Sequence, residues 1–224
     1  MRTKLSAIGD TIEKEHVTLR EVMKCTSLLM YASAVTGTNK AEFYWVMKFM
    51  RRRASEQALL DEAAAIWPSV QALWRCWAEL ELQAPPRIWH KSEQMGTATM
   101  YTDASLDGWG AICFRGDGSL AIRAGKWSEH DIRQATTNGN LNINVLEALA
   151  VCRAFESIEF SEAVHLKVDN TSVVHRLPKG FSKSFQLNLI LGQLHQFNSR
   201  IIDITYVESA KNIADKLSRL FCRK

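Results

Sequence analysis

Between residues 84 and 86 the hydrophobic rhythm of this chain changes, and no architecture of a single period can accommodate both sides. Upstream, Leu19, Val22, Met23, Leu29 and Met30 recur at helical spacing. Residues 41–66 contain neither Gly nor Pro and carry Phe43, Met47, Met50, Leu59 and Ala63. Pro68 interrupts this run, and 69–82 resumes with Val70, Leu73, Trp74, Trp77 and Leu80 on one face. The aromatic stripe Trp67, Trp74, Trp77 reads as packed core. Ala84, Pro85 and Pro86 then stiffen the chain and favour extended geometry, which marks a linker. The expected organisation is a helical segment with its linker over 1–86, followed by a second domain over 87–224.

Beyond the linker the period is two. Strands are expected over 97–105, 109–114 and 120–126, joined by the Asp107-Gly108 hairpin turn and a second turn at Gly116–Ser119. A loop containing Asp131, Asn138, Gly139 and Asn140 leads to a helix over 144–157. A short strand, 164–168, ends at Asp169. Helices over 171–177 and 185–198, a strand over 201–207 and a helix over 212–220 complete the chain. Three antiparallel strands followed by crossovers imply an α/β fold with a mixed five-stranded sheet flanked by helices.

Composition excludes several classes. With 46% apolar residues, the 224-residue chain can bury a core. No apolar run approaches the roughly 18–20 residues of a bilayer span. The N-terminus has no signal-peptide core, and Asp10, Glu13 and Glu15 argue against a transit peptide. Five scattered cysteines imply neither a disulfide framework nor a zinc site and fit a reducing intracellular compartment, nuclear or cytoplasmic. The net charge of +4 permits a nucleic-acid partner without demonstrating one. Arg51, Arg52 and Arg53 fan around a helix and form no single patch.

Four acids stand out by position. Asp103 lies in what should be the central strand, where an ionised carboxylate costs several kcal/mol unless something cationic pairs with it. Asp169 closes a strand, where ligands sit in open α/β sheets. Glu147 lies on the helix after the meander, and Asp215 opens the last helix. Neither Asp103 nor Asp169 has a basic neighbour in sequence. Acids gathered without cations call for hard divalent ions, Mg²⁺ or Mn²⁺. Each acid also has a plainer role. Asp103 can be a turn residue, although the turn comes later, at Asp107. Asp169 can help cap the helix that follows, Glu147 can close a capping box with Asn144, and Asp215 can favour a helix dipole. Asp107 and Asp117 belong to turns, and Asp203 to a strand's polar face.

Tyr101-Thr-Asp-Ala-Ser, Gly108-Trp-Gly-Ala, Ile143-Asn-Val-Leu-Glu, Val168-Asp-Asn-Thr-Ser-Val-Val and Asn212-Ile-Ala-Asp-Lys-Leu-Ser-Arg occur in that order. Together they resemble a type 1 ribonuclease H domain, similar to those fused to retroelement reverse transcriptases, especially of the DIRS-like group. The resemblance implies an RNase H-like fold in which Asp103, Glu147, Asp169 and Asp215 hold two Mg²⁺ or Mn²⁺ ions. It implies hydrolysis of the RNA strand of an RNA·DNA hybrid, with Asn140, Asn144, Asn170 and Thr171 as candidate substrate contacts. Residues 19–33 resemble the helical segment that joins a reverse transcriptase polymerase to its ribonuclease H. No Tyr/Phe-x-Asp-Asp box is present, so a polymerase would be a separate partner. Many family members carry a histidine in the loop before the last aspartate. Here Glu208 or Ser209 stands in its place. A non-catalytic scaffold of the same fold is the alternative from another class. An integrase-like nuclease fits the last motif poorly.

Overall fold

The structure is a computed structural model that describes residues 2–14, 16–55, 60–85, 96–159 and 162–222. Pro86, Leu59 and the start of the second expected domain lie outside them. The chain divides into two compact units, Met1–His90 and Lys91–Lys224.

The first unit contains α1 (Arg2–Ile12), α2 (Leu19–Thr36), a 3₁₀ turn (Lys40–Phe43), α3 (Tyr44–Ala54) and α4 (Pro68–Gln83). Thr18 and Glu21 close a capping box on α2, and Gly37 ends it at φ 80°. Pro68 does not break a helix but opens one, at the first turn, where a missing N–H costs nothing. Trp74 and Trp77 are fully buried, and Trp77 stacks on Phe43 at 4.5 Å. Trp67 departs from the expected stripe: it is 37% exposed and lies before α4 begins. The three arginines end α3, with Arg52 over Trp67 and Arg53 over Phe49.

The second unit holds the expected α/β architecture. Strands β1 (Thr97–Ala104), β2 (Gly108–Phe114) and β3 (Leu120–Lys126) form an antiparallel meander. Helix α5 (Glu129–Ala135) and the small hairpin β4 (Thr136–Thr137) and β5 (Asn140–Leu141) precede α6 (Ile143–Ser157). Then come β6 (Ala163–Val168), α7 (Thr171–Arg176), α8 (Phe185–Leu194), β7 (Ile201–Tyr206) and α9 (Asp215–Ser218). The sheet order is β3-β2-β1-β6-β7, with β1–β6 and β6–β7 parallel. This is the mixed five-stranded sheet flanked by helices that the order of elements implies, with β1 at its centre.

Fully buried Ala98, Met100, Ala111, Cys113, Val164 and Leu166 share one face of the sheet through the ladder register. Helix α6 packs on β1 and β2 over that face, and its long buried stretch from Val145 to Cys152 seals the core. The opposite face, carrying Thr99, Tyr101 and Ile122, is only partly covered.

Three local expectations are corrected. Asp131 is not a loop residue: Ser128 and Asp131 form a capping box on α5, and Asp131 is buried against Arg153. Helix 185–198 ends at Leu194 and continues as a 3₁₀ turn. The last helix keeps only Asp215–Ser218 of the expected 212–220, after a 3₁₀ turn at Ser209–Lys211.

Candidate metal centre

The register of the two central parallel strands builds the site. Thr102 pairs with Val168, so the next residues, Asp103 near the carboxyl end of β1 and Asp169 just past that of β6, lie side by side. Strand β1 has an antiparallel neighbour on one side and a parallel one on the other. This is the type of strand end where open α/β sheets leave a crevice. Helix α6 brings Glu147 to it from the buried face. One carboxylate oxygen each from Asp103, Glu147 and Asp169 lies within 4.8 Å of the others. Asp215 and Arg219 line the same cleft with them.

Asp103 is 2% and Glu147 6% exposed. Burial pushes the Glu147 carboxyl up to about 9, and the nearby Asp103 and Asp169 charges add to this against a backbone hydrogen bond at Ala104. Burial likewise raises Asp103 to about 6. The Ser218 hydrogen bond opposes it, Asp169 and Asp215 reinforce it, and Arg219 opposes it more weakly. Glu147 Oε2 and Asp169 Oδ1 are buried, and none of the described residues donates a hydrogen bond to them. Orphaned acceptors beside a third buried acid have the donor chemistry of a hard-cation site, since such ions take oxygen ligands only.

The plainer roles do not account for these acids. The N-cap of α6 is Asn142, which accepts from the Asn144 amide at 3.0 Å. Glu147 therefore sits beyond any capping box. Asn170, not Asp169, caps α7 through the Val173 amide. Asp215 does open α9, but its carboxylate is taken up by Arg219, at 2.7 Å. It stands on the cleft without belonging to the three-oxygen group.

The candidate substrate contacts are not among the described residues that line this cleft. Asn170 Nδ2 donates to Asn144 Oδ1 at 3.0 Å, tying α7 to α6. Thr171 is exposed on α7, and Asn140 is exposed on the small hairpin. Of the two residues expected in place of the histidine, Ser209 donates to Asp169 Oδ2 at 2.6 Å. Glu208 instead pairs with Lys211 at 2.8 Å. His195 lies in the 3₁₀ turn after α8, 3.3 Å from Asn198.

The partners of the acids were not evident from the acids alone. Asn212 Nδ2 donates to Asp103 Oδ1 and Ser218 Oγ donates to Asp103 Oδ2, while Arg219 binds Asp215. Their signal is positional. Ser218 and Arg219, three and four after Asp215, fall at the helical spacing that turns residues to one side, whereas Asn212, three before it, precedes the helix in extended backbone.

No family model and no curated protein matches this chain. Solved structures similar to it include RNase H1 from the halophilic archaeon Halobacterium salinarum NRC-1, at 20% identity and a TM-score of 0.41, covering 55% of this chain and 92% of that one. LC11-RNase H1 in complex with an RNA/DNA hybrid is 18% identical, with a TM-score of 0.40 over 55% and 92% of the two chains. A foamy viral protease-reverse transcriptase in complex with double-stranded DNA is 13% identical, with a TM-score of 0.33, covering 90% of this chain and 34% of that one. At these identities and scores the likenesses carry no functional information.

Proposed function

We propose that this chain is a divalent-metal-dependent endonuclease of the ribonuclease H type, of retroelement reverse transcriptase origin, that hydrolyses the RNA strand of RNA·DNA hybrids. The observation that carries the reading is the convergence of Asp103, Glu147 and Asp169, with buried oxygens on Glu147 and Asp169 left without a donor. These three would hold Mg²⁺ or Mn²⁺, with Asp215 as the fourth acid beside them. When bound there, two such ions supply an ionised water for attack on phosphorus and positive charge for the departing 3′ oxygen.

The chain's own residues do the rest. The sheet fixes Asp103 and Asp169 on adjacent strand ends, so their spacing costs no rearrangement when the substrate arrives. Helix α6 holds Glu147 in a dry position where it can carry charge only beside a cation. Asn140, Asn144, Asn170 and Thr171 would contact the hybrid, reading 2′-hydroxyls and minor-groove shape rather than base sequence. The helical unit would act as the connection toward a separate polymerase.

A labelled RNA·DNA hybrid incubated with Mg²⁺ tests the reading. Cleavage of the RNA strand by wild type and its loss in Asp169→Asn are expected. A wild-type protein that leaves the hybrid intact, or an Asp169→Asn variant that cuts equally well, would turn the assignment toward a non-catalytic scaffold.

A further inference from the structure

Asp103 is the most constrained acid of the cleft, and the constraint comes from the last motif. Ser218, fully buried, donates its hydroxyl to Asp103 Oδ2. The Asp215 carbonyl lies 2.9 Å from the same hydroxyl. A hydroxyl has one hydrogen, and a buried carboxylate is the stronger acceptor. Asn212, 4% exposed, uses both amide hydrogens: one on Thr102 O at 3.0 Å and one on Asp103 Oδ1 at 3.3 Å. Its own Oδ1 accepts from the Ala214 amide at 3.2 Å. Neither side chain has a donor hydrogen left for any other partner.

The placement of α9 is itself held. Ser105 Oγ, at the β1–β2 turn, reaches Ser218 O at 2.7 Å, and Trp127 Nε1 donates to Ser105 O at 2.9 Å. Gly110, opposite Asp103 in the ladder, lets the helix come this close: a Cβ there would lie 2.8 Å from the Ser218 nitrogen and nearer still to Leu217. The Gly-Trp-Gly block and the last motif are thus two halves of one contact.

We propose that Ser218 and Asn212 are positioning residues that hold the Asp103 carboxylate in the orientation cation ligation requires. This rests on the metal-centre reading above. A carboxylate turns easily about its last bond, and its broad torsion has no deep well to hold it. One donor on each oxygen removes that freedom and leaves the remaining lone pairs for cations. Groups that orient metal ligands in this way typically change affinity 10–100-fold when removed.

Mn²⁺ titration by calorimetry on the full chain tests the proposal. The proteins are wild type, Ser218→Ala, Asn212→Ala and, as reference, Asp103→Asn, each checked by circular dichroism in EDTA. Ser218→Ala should bind Mn²⁺ about 10-fold more weakly or worse. Asn212→Ala, whose contact is longer, should lose a smaller factor, and Asp103→Asn should lose the site. Wild-type affinity in both folded variants would overturn the proposal. So would a loss seen only together with unfolding of the metal-free protein, which would assign the two residues to folding alone. A wild type that takes up no Mn²⁺ strikes the metal centre itself, not the clamp.

Discussion

Glu147 should destabilise the metal-free protein at neutral pH, and Glu147→Gln should therefore raise its stability. The carboxyl is 6% exposed, and burial among acids lifts it from 4.5 to about 9. A raised acid favours the fold fully only below its unfolded value, and that contribution is lost as pH climbs toward the folded value. At pH 7.5 the unfolded chain has ionised Glu147 while the fold still holds its proton. That difference spans three pH units at about 1.4 kcal/mol each, or about 4 kcal/mol. Glutamine matches the protonated acid in shape and has no proton to lose. Urea unfolding in EDTA at pH 7.5 should place Glu147→Gln up to about 4 kcal/mol above wild type, or roughly 8–16 °C higher in Tm. The gain should vanish near pH 4.5. With millimolar Mg²⁺ the order should close or reverse, because an ion that binds only the fold stabilises wild type. A variant no more stable than wild type at pH 7.5, or a gain of equal size at both pH values, would refute this account of Glu147.

Three further outcomes are expected. Gly110→Ala should cost about 1–3 kcal/mol by driving α9 off the sheet, and should lower hybrid cleavage with it; chemical denaturation and a cleavage assay read the two effects. Arg153→Met should cost about 3–5 kcal/mol, because it leaves buried Asp131 without its cation. Burial raises that carboxyl, but Arg153 and Ser128 more than reverse the effect and hold it below 3.8. The deficit, followed by urea denaturation, should therefore shrink as pH falls below that value. Stabilisation of wild type by Mg²⁺ in a thermal melt should grow from pH 5 to pH 8, since Asp103 and Glu147 must lose their protons to bind it.

The strands of the second unit were legible because alternation and turn chemistry are local. Leu120–Lys126 matches its expected bounds, and the Asp107-Gly108 turn falls between the first two strands. Asp103 and Asp169 could be singled out for a similar reason, since a charge in a central strand or at a strand end stands against its own surroundings, whereas Glu147 and Asp215, on helices, offered no such contrast. Helix α5 had a signal, Ser128 three residues before Asp131, but its seven residues are too few for a hydrophobic period to register. Asn142 and Asn144 compete for one cap, and spacing alone favoured the wrong one.

Residue types and local periods, written along the chain, were enough to name the five strands of the main sheet and the α/β class, but not the small hairpin of β4 and β5. They could not say which oxygens meet. Asp103 and Asp169 are 66 positions apart, as their numbers show, and come together only because Thr102 pairs with Val168. Asp103 finds Ser218 only because Gly110 lets α9 settle on the sheet. Local preferences act over a few residues, whereas these contacts depend on strand register and on how closely one backbone can approach another, and both are settled when the whole core packs.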